Sequence, residues 1–98
     1  ELNVGRLREA EIALRKVGEE HDLSSKQVDV LFVLVQRDLF AAFPDVSLVD
    51  LASALGLTRQ GVRPHAKELE KLGLVVATSQ KPLRFALAEE ARRLLGLS

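Results

Sequence analysis

The stretch that most constrains how this chain can fold runs from residue 47 to residue 75, SLVDLASALGLTRQGVRPHAKELEKLGLV, and reads as two short helices joined by a tight turn. Ser47 stands three residues ahead of Asp50, the Ser-x-x-Asp form of a capping pair, in front of the apolar residues Leu48, Val49, Leu51, Ala52 and Leu55. Gly56 supplies the stop, and Thr58 opens the second helix. There Val62, Ala66, Leu69 and Leu72 recur at i, i+4, i+7 and i+10, which places four apolar side chains on one face.

A small residue at Ala52, Gly at 56 and Val at 62 is the spacing of a helix-turn-helix, in which Ala lets the helices approach and Gly makes the turn. At about 100° per residue, Arg59, Arg63, Lys67 and Lys71 form a ladder pointing roughly 140° from the apolar stripe. On an isolated helix such a ladder is a solvated face. On the second helix of this motif, it is the face that enters a major groove, with its first turn at base edges and its later charges near phosphates. Gly61 and Pro64 complicate that helix. Pro64 removes the bond to the Gln60 carbonyl, so the expectation is a bent first turn or a helix that effectively starts at Pro64.

Around this pair the chain supplies supporting elements. Residues 1–20 carry Leu7, Ala10, Leu14 and Val17 at helical spacing, a stripe that suits either the chain's own core or a second subunit, with a frayed start at Gly5. Ser24 and Gln27 form a capping box that opens a scaffold helix over 24–43, apolar on all sides through Val30–Val35 and stopped at Phe43-Pro44-Asp45. After Gly73, residues 74–79 and 83–87 read as strands of a hairpin spanning 74–87, with a turn at Gln80, Lys81 and Pro82. Lys81 and Arg84 fall at or near its tip, where they either reach phosphates or protect an edge strand. Residues 88–96 form a last helix, with Glu89 and Glu90 early, Arg92 and Arg93 late, and Leu94, Leu95 and Leu97 to bury. The expected architecture is mainly α with a small β-hairpin, an α+β winged helix-turn-helix in one domain over 1–98.

Composition removes several functions. With no Cys there are no disulfides or thiolate metal sites. Glu19, Glu20, His21 and Asp22 are consecutive and point in different directions on a helix, so they make no ligand cluster. The six-residue apolar run Val30–Val35 is far short of the roughly 20 needed to span a bilayer, and no signal peptide is visible, so a cytoplasmic chain with no membrane partner is expected. His21 and His65 lie in different elements, His65 at the edge of the apolar stripe, and no Gly-rich phosphate loop follows a strand. No catalytic residue, enzyme activity, metal or cofactor is expected. The formal net charge is zero, but its distribution is uneven. Residues 1–50 hold six Lys/Arg against ten Asp/Glu, whereas residues 58–85 hold six against two, an asymmetry that steers a polyanion to one side.

Four segments, LSSKQVDVL at 23–31, LASALGLTRQGV at 51–62, ELEKLGLV at 68–75 and FALAEEARRLL at 85–95, resemble the winged helix-turn-helix transcriptional regulators of the MarR family, with the ArsR family sharing the middle portion. The wing lacks the Asp-Arg-Arg type of motif found there in that family. The resemblance implies sequence-specific binding of double-stranded DNA by a homodimer that reads two half-sites and pairs through its first helix, with or without the apolar helix after it. Arg63 would offer a fork to guanine and Gln60 would pair with adenine, beside Arg59; Thr58, Lys67, Lys71, Lys81 and Arg84 would hold phosphates. The competing function is a winged helix used for protein interaction, or as an accessory domain of a larger replication or chromosome-maintenance protein.

Overall fold

The computed structural model describes residues 2–41, 43 and 45–97. Among them the chain forms helices α1 (Leu2–Glu20), α2 (Ser25–Phe40), α3 (Leu48–Leu55), α4 (Arg59–Lys71) and α5 (Glu89–Leu94), and strands β1 (Val46–Ser47), β2 (Val75–Gln80) and β3 (Leu83–Leu87). The molecule is thus mainly helical with a small antiparallel sheet, an α+β arrangement.

Helix starts follow the local chemistry. At α2 the Gln27 amide donates to Ser24 Oγ at 3.3 Å, and the Ser24 amide donates to Gln27 Oε1 at 2.8 Å, a complete capping box. Ser47 accepts from the Asp50 amide at 3.1 Å, and Thr58 accepts from the Gly61 amide at 3.0 Å. The ends are equally local. Gly56 and Gly73 take φ of +67° and +79°, and Leu57 and Leu74 then donate back to the carbonyls of Ala52 and Leu69, the bonds of a Schellman turn. α1 closes the same way on Asp22, at φ +54°. Gly5 lies within α1 rather than at a frayed start.

Two boundaries differ from expectation. α2 ends at Phe40, with Ala41 as its cap, two to three residues early; Ala42 and Pro44, on which the expected stop rests, lie outside the described residues. The sheet has three strands instead of two. β1 pairs antiparallel with β3 at Val46↔Phe85 and Ser47↔Arg84, giving the order β1-β3-β2. A two-residue strand carries no readable period, and its partner lies nearly 40 residues downstream, so nothing local announces it. β2 slips register between Ala77 and Ser79, which leaves Thr78 as the extra residue of a bulge.

The core gathers Ala10, Leu14 and Val17 of α1, Val30, Leu31, Leu34 and Val35 of α2, and Val62, Ala66 and Leu69 of α4 around Phe85 of β3. The stripe of α1 therefore packs on its own chain, and α2 is a central scaffold. Gly18 lets these two helices cross closely, since a Cβ there would stand 3.2 Å from Val28 Cγ2. Leu95 and Leu97 are buried as expected, but Leu94 and Leu72 are half-exposed: each sits at the last turn of its helix, where the apolar stripe has rotated off the core. Arg92 does more than complement a helix dipole. Its guanidinium grips Asp38 of α2 at 2.9 and 3.3 Å, and it joins Arg6 of α1 in donating to the Leu97 carbonyl, at 3.3 and 2.8 Å.

Candidate nucleic-acid interface

α4 is one continuous helix from Arg59, opened by Thr58, with Pro64 inside it. This overturns the expectation of a helix starting at Pro64. The cap explains the outcome: Thr58 satisfies the Gly61 amide, and the Gly61 and Val62 amides also bond to the Thr58 carbonyl, so the first turn is fixed before the proline is reached. Pro64 has no N–H to give the carbonyl of Gln60, which belongs to an exposed residue.

The anchored start leaves Arg59, Gln60 and Arg63 exposed on the first two turns. With Leu48, the first residue of α3, they line an open cleft of about 280 Å³. Leu48 is the residue of this cleft that sequence reasoning missed: it is largely buried, and its small exposed edge forms a wall. Lys71 is exposed on the last turn, roughly 18 Å along the axis from Arg59 at 1.5 Å per residue. Lys81 is exposed in the two-residue turn between β2 and β3. Among the described residues, Arg59, Arg63, Lys71 and Lys81 make no ion pair.

Two expected contact residues are engaged elsewhere. Lys67 is half-buried, with Nζ 3.4 Å from Glu70 Oε1 and 5.9 Å from the centre of the Phe85 ring, so it leans along the helix instead of standing out as a rung of the ladder. Arg84 falls near the hairpin tip, as the second residue of β3, but its charge is not free. It lies in β3, the middle strand, between Ser47 and Ser79, and its Nε donates to Asp45 Oδ2 at 2.7 Å while Nη2 donates to the Asp45 carbonyl at 3.4 Å. Thr78 Oγ1 donates to the same carboxylate oxygen at 3.2 Å. The hydrogen bond from Arg84 holds the Asp45 carboxyl below the usual carboxylate range, and the same bond raises the Arg84 guanidinium. No sequence signal pointed to Asp45 or Thr78, because they meet Arg84 only through the sheet. The expected ladder thus reduces to a cluster of Arg59, Gln60 and Arg63, with Lys71 and Lys81 as separate outlying charges.

Larger concavities lie away from these cations. One of about 380 Å³ between α2 and α3 is lined by Val33, Gln36, Arg37, Phe40, Ala41, Asp50 and Ala54. It has no nucleophile beside a base, and its lining is largely apolar. No group of three or more His, Asp or Glu residues among those described is placed to hold a metal ion. No described helix is long and apolar enough to cross a membrane. Comparison with protein-family models, with curated proteins and with solved structures found no match.

Proposed function

We propose that this chain is a winged helix-turn-helix domain that binds duplex DNA as a cytoplasmic transcriptional regulator of the MarR-like kind, and not an enzyme. The observation that carries the reading is the cluster at the start of α4: two arginines without acidic partners among the described residues and a glutamine, all exposed, on a helix fixed by its own cap. That is the donor chemistry of major-groove readout. An arginine fork matches the O6 and N7 acceptors of guanine, and a glutamine amide matches N6 and N7 of adenine.

Charge supports the same surface. Lys71 and Lys81 are free to neutralise phosphates, and the Thr58 hydroxyl, which accepts from Gly61, keeps its own proton to donate to one. Lys67 and Arg84 contribute less than their sequence positions implied, since each is held by a carboxylate. A helix stopped at the left-handed Gly56 and packed on α4, with a β2–β3 hairpin following α4 in the chain, supports the reading of a helix-turn-helix with a wing. A second copy would dock through α1, where Val4 and Ile12 are more than half exposed.

A second reading is protein interaction. It is favoured by the exposed Phe40 and Val49, by the largely apolar α2–α3 cleft that Phe40 lines, and by Pro64 on the groove-facing helix. Selection from a randomised duplex pool, with a sizing measurement alongside, separates the two. The DNA reading expects an inverted repeat with half-sites about one helical turn apart, roughly 10 base pairs or a multiple, and a dimeric mass on that duplex. No enrichment, and no binding of random duplex at micromolar protein and low salt, would leave the protein-interaction reading in its place.

A further inference from the structure

The network around Asp45 has no part in the groove-facing cluster, yet it joins three strands through one carboxylate. Asp45 immediately precedes β1 and is half-buried. The sheet order β1-β3-β2 puts β3 between Asp45 and the outer strand, so the carboxylate takes Arg84 from the middle strand and Thr78 from the far one. Thr78 is the extra residue of the bulge, and a bulge sets the local bend and twist of its strand. Between Thr78 and Arg84 the hairpin end consists of Ser79, Gln80, Lys81, Pro82 and Leu83. The other side of the clasp is equally direct. Ser47, two residues after Asp45, is both the end of β1 and the cap of α3, and α3 packs on α4.

We infer that Asp45 is a positioning residue for duplex binding: by clasping Arg84 and Thr78 it fixes the direction of the hairpin relative to α3 and α4, so that Lys81 meets a backbone phosphate. The inference rests on the DNA reading above and names a residue that touches no DNA. A two-stranded hairpin on its own is marginally stable in water, so its outer end needs such an anchor to present a charge in one place. The bridge is more than a surface pair. The Asp45 and Arg84 side chains are 24% and 33% exposed, and the carboxylate accepts a second hydrogen bond from Thr78. The clasp also holds the Arg84 charge in an internal pair, which leaves Lys81 as the free cation of the hairpin among the described residues.

The test is a coupling experiment on the full chain with a duplex of fixed sequence. Lys81→Gln is measured in the parent and in Asp45→Asn with Arg84→Gln, a pair of changes that removes the clasp while preserving net charge. In the parent, Lys81→Gln is expected to lower affinity roughly fivefold near 0.15 M salt and to reduce the slope of log affinity against log salt by about 0.9, the effect of one released counterion. In the clasp-free background the affinity is already lower by that factor, the slope is already reduced, and Lys81→Gln adds nothing. Equal effects of Lys81→Gln in both backgrounds would overturn the inference, as would no effect in the parent. A parent that binds no duplex overturns the DNA reading itself, a result distinct from either. Should the double variant fail to fold, Thr78→Val keeps the ion pair and removes only the bond at the bulge; it is expected to show part of the same coupling, and simple additivity there overturns the proposal.

Discussion

Replacing Pro64 with alanine should stabilise the protein, and the size of the gain can be worked from the helix. α4 runs unbroken through Pro64, so the chain tolerates a proline at an interior position. Relative to alanine, an interior proline costs about 3 kcal/mol, from the missing N–H and from the clash of its ring with the carbonyl four residues back. Here that carbonyl belongs to Gln60, the second residue of the helix, which is exposed and can tilt towards water, so the full cost is not reached. Alanine at this exposed position loses no buried contact and restores one backbone bond. A gain of about 1–2 kcal/mol is expected, which for a domain near 100 residues raises Tm by roughly 4–15 °C. Urea titration should show the midpoint rising with an unchanged m value. A Tm that stays put or falls would refute the reasoning, since it would mean that the ring at Pro64 makes a contact or sets a bend on which the fold depends. Gly61→Ala is the poorer test, because its Cβ would stand 3.2 Å from Thr58 Oγ1, the capping atom itself.

Three further outcomes follow from the geometry. Ser24→Ala removes one half of the capping box at α2 and should cost about 1 kcal/mol by denaturant titration. Arg92→Met should be more destabilising than Arg92→Met combined with Asp38→Asn, because the Asp38 side chain is 9% exposed and would lose its partner as a charge; with Arg92 itself 31% exposed, the difference should be about 1–2 kcal/mol. An NMR acid titration of the Asp45 carboxyl should give a midpoint below that of an ordinary aspartate, returning upward in Arg84→Gln. Since the folded value is depressed, the contribution of the clasp to stability is complete above the unfolded value and is lost only as pH falls through the lowered one.

What the sequence made legible was what is decided within a few residues. Ser24 with Gln27, Ser47, Thr58, Gly56 and Gly73 each act on amides or carbonyls less than a turn or two away, and each landed where its local chemistry put it. Most of the stripes of α1 and α4, Ala10, Leu14 and Val17 and then Val62, Ala66 and Leu69, are buried as helical spacing implied, while Leu72 is not. What remained hidden depends on pairs far apart in the chain: β1 with β3, Arg92 with Asp38 at a separation of 54 residues, and Arg84 with Asp45 at 39. For the candidate site this distinction mattered most. A helical wheel treats Arg63 and Lys67 as equivalent rungs, but Glu70, three residues on in the same helix, and the Phe85 ring, which only the fold brings near, draw Lys67 aside. The position of Arg84 near the hairpin tip was legible, but its partner Asp45 reaches it only across the sheet.

Pro64 and Gly61 are the two residues of α4 that local propensity argues against, and both lie exposed on the helix that carries Arg59, Gln60 and Arg63. Departures from local rules concentrate where a surface serves something other than stability. This helix is therefore the place to test.

The most direct measurement is the salt dependence of duplex binding by the parent protein and by a variant carrying Arg59→Gln and Arg63→Gln. The DNA reading predicts that the parent binds, with log affinity falling linearly as log salt rises, and that the variant binds more weakly with a slope reduced by about 1–2. A variant that matches the parent in both affinity and slope would contradict it.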